Sequence, residues 1–215
     1  MQFIQLVNDV LVRLRETEVS SVSDNAYAKM IAKFVNDAKR QVEDAYPWNA
    51  LADTLTATTT PGLFSYVLEG SQQRFRVIDV LNDTENYFLN NAATSYMDRL
   101  FLVNNSSPGK PIYYNFNGVN SNGDTLVDIY PIPDKVYDIR FNMILPQPLL
   151  VANADYLKVP YEPVVYLAYA KALAERGEDG GLAANEAYGL YRQSLADAIS
   201  IESGRYAEEQ QWEVI

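Results

Sequence analysis

The sequence predicts an α+β fold: a helical domain of about four helices drawn from both ends of the chain, with an antiparallel β-sandwich or barrel inserted between them. Three observations carry this prediction. Apolar residues recur at three- and four-residue steps early and late in the chain, and at two-residue steps between. Pro47, Pro146 and Pro148 stand where the period changes. Neither pair of helical segments buries its apolar stripe alone, so each end needs the other. The resulting division is 1–52 with 149–204 as the helical domain, 53–148 as the β domain, and 205–215 as a C-terminal segment.

Phe3, Leu6, Val7, Val10, Leu11 and Leu14 form the stripe of a first amphipathic helix over 3–16. A polar turn at Ser20, Ser21 and Ser23 follows, with Ser23 or Asp24 placed to cap the next helix. Tyr27, Met30, Ile31, Phe34, Ala38, Val42 and Ala45 mark that second helix, which Pro47 stops. The two read as an antiparallel hairpin.

Beyond Trp48, Leu55 and Ala57 alternate with threonines, and a Pro61-Gly62 turn leads to Phe64, Tyr66 and Leu68. Further strands are predicted over 75–81, 112–116, 126–132 and 137–145. In the last, Tyr137, Ile139, Phe141 and Met143 face one way. Residues 117–124 form a turn with Gly118 and Gly123. Residues 82–110 carry no clear period, and 96–103 reads equally as a short helix or a strand. Pro160 and Pro163 open a third helix running to Arg176, in which Lys171 is the only charge between Val164 and Ala174. A helix that apolar belongs at the centre of its domain. Gly177 ends it, and Leu182, Tyr188, Tyr191, Leu195, Ala198 and Ile199 define a longer fourth helix.

Composition excludes whole classes of chemistry. The 215 residues include no cysteine, hence no thiolate nucleophile or cysteine zinc site, and no histidine, the commonest general base and metal ligand. Twenty-eight acids against 17 bases leave a net charge of −11, the opposite of a protein that clamps nucleic-acid backbone. Residues 1–52 hold 6 bases and 7 acids, 53–150 hold 6 and 10, and 151–215 hold 5 and 11. The excess acid is therefore concentrated late in the chain. No run approaches the ~18 apolar residues of a membrane span. The first residues lack the basic start and apolar core of a signal peptide, so the chain is expected to be made and kept in a cytosol. On that expectation the sequons at Asn82, Asn104 and Asn105 are incidental.

Candidate sites are few. Gly109-Lys110 is followed by Pro111, which cannot continue a phosphate loop. Asn120-x-Asn122-Gly123 resembles the middle of a calcium loop, but Gly118 and Ile129 occupy the positions where carboxylates are needed. Asp79 is the acid nearest an apolar run; an outward strand residue, or one paired to Arg74 or Arg76, is the simpler reading. Glu178-Asp179 reads as a solvated turn. No catalytic, metal or cofactor residue is assigned, and the chain is not expected to be an enzyme.

The 16 tyrosines carry more information. Tyr166, Tyr169, Tyr188 and Tyr191 are expected in the helical core, whereas Tyr113, Tyr114 and Tyr206 are not obviously inward. Tyrosine and tryptophan are favoured at interfaces because they bury much area at small entropic cost. Tyr206, Trp212, Val214 and Ile215, past the last helical stripe, form a candidate docking segment for a partner. The alternative reading is a glycan-binding β-sandwich.

A short first helix, a long helix ending in Tyr46-Pro47-Trp48, and threonine-rich strands resemble the head-to-tail adaptor family of tailed bacteriophages. That family includes the tail tubular A-type proteins of short-tailed phages. Pro160-Tyr161-Glu162 opening an alanine-rich helix, then Glu175-Arg176-Gly177-Glu178-Asp179 and a long helix with Tyr188 and Tyr191, extend the resemblance. It implies a virion protein at the head–tail junction, made in the host cytoplasm. It implies a homo-oligomeric ring, typically of twelve copies, that binds the portal protein on one side and a tail or nozzle protein on the other. DNA would pass through the channel without specific binding, and no cofactor or membrane is involved.

Overall fold

The structure, a computed structural model, describes residues 1–103, 108–177 and 181–205. The chain divides into two compact units, 1–51 with 147–215 and 52–146.

The first unit holds four helices: α1 (Phe3–Arg13), α2 (Ala26–Ala45), α4 (Tyr161–Arg176) and α5 (Leu182–Ser203). On α1 the stripe Phe3, Leu6, Val7, Val10 and Leu11 is buried, as its spacing predicts. Burial of each such side chain contributes about 1.5–3 kcal/mol relative to exposure. α2 is capped by neither Ser23 nor Asp24. Asn25 does it, its Oδ1 accepting the Ala28 amide at 2.7 Å. Asp24 instead closes the preceding turn, accepting the Ser20 and Ser21 amides at 2.8 and 2.9 Å. The buried face of α2 is also rotated from the predicted stripe. Ile31, Ala38 and Val42 are buried as the stripe predicts, but Ala28, Ala32, Val35, Lys39 and Glu43 are buried with them, while Met30 and Phe34 are half-buried and Ala45 is exposed.

The rotation has a physical source. The extended segment 147–150 lies along α2 and satisfies a polar ladder there. Asn36 exchanges two hydrogen bonds with the Leu150 backbone, at 2.9 and 3.0 Å. Lys39 Nζ donates to Glu43 at 2.9 Å and to the Gln147 carbonyl at 2.6 Å, and the Gln147 amide donates to Glu43 at 3.2 Å. α4 packs on α1, α2 and α5, the central position its composition predicts. Arg176, in its last turn, donates to the Tyr27 hydroxyl at 2.8 Å and to Glu16. It thereby ties the end of α4 to the first turn of α2 and to the segment just after α1. Gly177 then ends α4 in the left-handed conformation (φ 66°), which a Cβ would oppose.

The second unit is two four-stranded sheets. One has the order β1 (Ala52–Thr58), β8 (Asp138–Ile144), β3 (Arg76–Asn82), β4 (Tyr87–Phe88). The other runs β2 (Ser65–Val67), β7 (Thr125–Tyr130), β6 (Tyr113–Val119), β5 (Asn90–Asn91). All pairs are antiparallel except β5 with β6, which is parallel. Tyr137, Ile139, Phe141 and Met143 face the core on β8 together with Val80, Val127 and Ile129. Residues 94–103 form a helix, α3, whose Met97 packs with Ala92 and Tyr130. Tyr114 is buried, its ring meeting those of Phe116 and Phe141, so it belongs to this core.

Candidate docking surface

The candidate chemistries read from sequence resolve into structural roles. Asn120 Oδ1 accepts the Asn122 and Asp124 amides at 2.8 and 2.9 Å, which makes the calcium-like string a hairpin turn. Asp124 in turn accepts the Gly70 amide at 3.0 Å. Asp79 accepts from Asn142 across β3 and β8 at 2.6 Å. The Gly109 amide donates to the Ile132 carbonyl, and Lys110 stands over the Tyr87 ring. Among the described residues no three histidine, cysteine or acidic side chains group to hold a metal. Glu178-Asp179 lies outside the described residues, as do the sequons at Asn104 and Asn105. No described helix is long and apolar enough to cross a membrane.

What the first unit presents instead is unburied apolar surface. α5 is 22 residues long, yet only Ala187, Tyr191 and Glu202 are buried on it. Leu182 and Ile201 are each 64% exposed, and Tyr188 and Leu190 about half. Tyr188 is therefore not a core residue; its ring lies 5.5 Å from that of Tyr191, which is. Leu190 and Ile201, eleven positions apart, fall on the same side of a helix with 3.6 residues per turn. Tyr166 and Tyr169 on α4 are half-buried, and Arg13 lies over the Tyr166 ring at 4.8 Å.

At the C-terminal end of α5 this surface meets a groove of about 410 Å³, walled by Trp48, Tyr156, Pro160, Tyr161, Ile201 and Glu202. Its floor is held firmly. Trp48 is 1% exposed, donates from Nε1 to the Val42 carbonyl at 2.7 Å, and meets the Tyr46 ring edge-on at 5.3 Å. Glu202 accepts the Asn49 amide at 3.1 Å and pairs with Arg205 at 3.3 Å. The Gln147 side chain bonds both the Tyr156 carbonyl and the Lys158 amide, at 2.6 and 3.0 Å, fixing the opposite wall. Half-exposed aromatic rings beside a few charges suit a groove that receives an apolar or aromatic side chain. Sequence reading missed it because its walls come from four separate stretches of chain. The one available signal was Tyr46-Pro47-Trp48, where a proline-stopped helix is followed by a ring that must pack at once.

Arg205, the last described residue of this region, borders the groove. Tyr206, Trp212, Val214 and Ile215, the docking residues expected from sequence, lie outside the described residues.

Comparison with curated proteins gives no significant match. The family described as SU10 adaptor protein matches residues 1–212, nearly the entire sequence and both of its units. The chain belongs to that family of phage head-to-tail adaptors.

Proposed function

We propose that this protein is a non-enzymatic structural component of the virion that assembles as a ring at the head–tail junction, binding portal on one side and tail on the other. The observation that carries the reading is α5: a long, well-formed helix whose Leu182, Tyr188, Leu190 and Ile201 stay about half-exposed or more within the described chain. Leu182, Leu190 and Ile201 fall within about 100° of one another around the helix and Tyr188 lies on another side, while Ile201 also lines the aromatic groove. Exposed apolar side chains along a helix beside such a groove suit an interface. A second copy is the occupant that a ring supplies, and successive head-to-tail contacts close when the rotation between copies divides a full turn. Twelve copies is the number the family resemblance implies.

The charge distribution supports a channel wall. Residues 151–215 hold 11 acids and 5 bases, and an acidic lining repels phosphate so that DNA slides without adhering. Residues 205–215, with Trp212 as anchor, are assigned to the portal contact.

Electron microscopy of the purified protein mixed with its portal protein tests both parts. Closed rings seated on portal are expected, and bare portal particles at saturating protein would refute the adaptor role. Removal of 205–215 should abolish seating while leaving the circular dichroism spectrum intact, and Trp212→Ala should weaken it at least tenfold. Unchanged seating of both variants would sink the assignment of that segment.

A further inference from the structure

The four strands at the margins of the two sheets are β1, β4, β2 and β5. Three are blunt: β4 and β5 have two residues each and β2 has three. β1 has seven, runs in unbroken register along β8, and contains no proline, lysine or bulge. Proteins normally blunt such an edge because its free amides and carbonyls template pairing with another chain. Here the only such device within β1 is the single charge of Asp53, near its first residue.

The pairing pattern identifies the free groups. The Thr59 amide donates to the Tyr137 carbonyl at 2.8 Å, which makes that pair hydrogen-bonded. In an antiparallel ladder bonded and non-bonded pairs alternate. With this register Leu55 and Ala57 bond to β8, while Thr54, Thr56 and Thr58 turn their amides and carbonyls away from it. The Thr54 amide is taken by the Asp53 carboxylate at 2.8 Å, consistent with that alternation. Those of Thr56 and Thr58 are left.

β2 offers the complementary edge. The Leu68 amide bonds the Thr125 carbonyl and the Ile129 amide the Phe64 carbonyl, so Ser65 and Val67 point their main-chain groups away from β7. Between the two edges runs a groove of about 370 Å³, bordered by Thr54 to Thr58 and by Tyr66 to Glu69. The fork joining β1 to β2 is braced. The Tyr66 hydroxyl accepts the Thr60 amide at 3.1 Å and donates to the Leu63 carbonyl at 2.6 Å, and the Gly62 amide bonds the Pro133 carbonyl at 2.9 Å. Two strands adjacent in sequence are thus held apart, one in each sheet, with main-chain groups unspent.

We propose that the β1 edge receives an extended segment of a different protein of the head–tail junction, which adds as a fifth strand beside Thr54, Thr56 and Thr58. This rests on the adaptor reading above. A second copy of this chain is the poorer occupant. Among the described sheet edges β1 alone is long enough to donate a strand, so edge-to-edge pairing of copies is β1 to β1, a two-fold contact that closes at two and builds no ring. Main-chain bonding supplies the affinity, as in other strand additions. The groove also selects by charge: Glu69 is its only charged lining residue and Asp53 stands beside it, so basic residues at the ends of the incoming segment are favoured.

Amide hydrogen exchange tests this on the full chain, free and within purified head–tail particles. The amides of Thr56 and Thr58 should exchange rapidly in the free protein and at least tenfold more slowly in the particle. Particles that contain the chain but leave 52–58 exchanging as in the free protein would overturn the strand proposal alone. Particles that lack the chain would overturn the adaptor reading with it. Two variants separate main chain from side chain when they complement a phage lacking its own copy. Thr56→Pro removes an outward amide that β8 does not use, at an edge position where proline is tolerated, so its melting temperature should stay near that of the parent while titre falls at least a hundredfold. Thr56→Val keeps the amide and should complement as the parent does. Full complementation by Thr56→Pro overturns the proposal. So does free parent protein that sediments as a dimer when the Thr56→Pro protein sediments as a monomer, because the occupant would then be a second copy.

Discussion

The buried Lys39–Glu43 pair makes a sharp energetic prediction. Both side chains are 2% exposed and separated by 2.9 Å. At an effective dielectric of 20 their gross attraction is about 6 kcal/mol, against a desolvation penalty of several kcal/mol for each ion. The pair is therefore close to neutral in net stability, although each charge alone is costly. Lys39→Met keeps most of the stem but removes the ammonium, and leaves Glu43 buried beside only the Gln147 amide. Its second carboxylate oxygen, Oε2, already has no hydrogen-bond partner among the described residues. The expected loss is about 3–5 kcal/mol. The double variant Lys39→Met/Glu43→Leu removes both charges and should lie within about 1 kcal/mol of the parent, or above it. Urea denaturation followed by circular dichroism and tryptophan fluorescence measures all four corners of the cycle. A single-variant loss below about 1 kcal/mol would show that water reaches the site and that the carboxylate is not truly desolvated. A double variant as unstable as the sum of the singles would show that packing, not charge, sets the cost.

Two further outcomes test other parts of the structure. Leu190→Glu with Ile201→Glu should shift the melting temperature of the free chain only slightly, because the side chains are about half and two-thirds exposed, yet stop ring closure on portal in electron micrographs. Asp155 accepts the Val151 and Ala152 amides at 2.6 and 2.8 Å, and these bonds hold its carboxyl below the ordinary 3.8. A carboxyl lowered in the folded state stabilises above its unfolded value, and that contribution is lost as pH falls through the folded one. Asp155→Asn should therefore flatten the fall in urea midpoint between about pH 5 and pH 2, and an unchanged slope would remove Asp155 as a cause.

Periodicity made much of the fold legible. The alternation of β8 and the stripe of α1 each named its buried residues directly, and the composition of α4 named its central place. What periodicity could not register was burial imposed from far along the chain. Lys39 and Glu43 stand outside the apolar stripe of α2, and they are buried because segment 147–150, which has no period of its own, covers them. Tyr114 and Tyr188 were misassigned for a related reason. A tyrosine satisfies both an interior and an exposed position, so its type does not declare its side. Asn25 competed with two equally good capping residues beside it, and the choice fell to whichever left Asp24 free to close the turn at Ser20. Of the candidate surface, the exposed half of α5 was hidden because one apolar stripe looks the same whether it meets its own chain or another. The open edge of β1 is a property of strand order, which no local pattern encodes.

The division of the chain also sets a schedule for its birth. Helices α1 and α2 leave the ribosome first, but the groups that complete Asn36 and Lys39 belong to Gln147 and Leu150. At roughly 5–20 residues per second, synthesis of the intervening stretch takes on the order of ten seconds. The inserted unit has all of its own strands by Pro146 and can close before the older helices find α4. For that interval the apolar faces of α1 and α2 lack α4, on which both helices pack, so these two helices, made before it, are among the last to be sheltered.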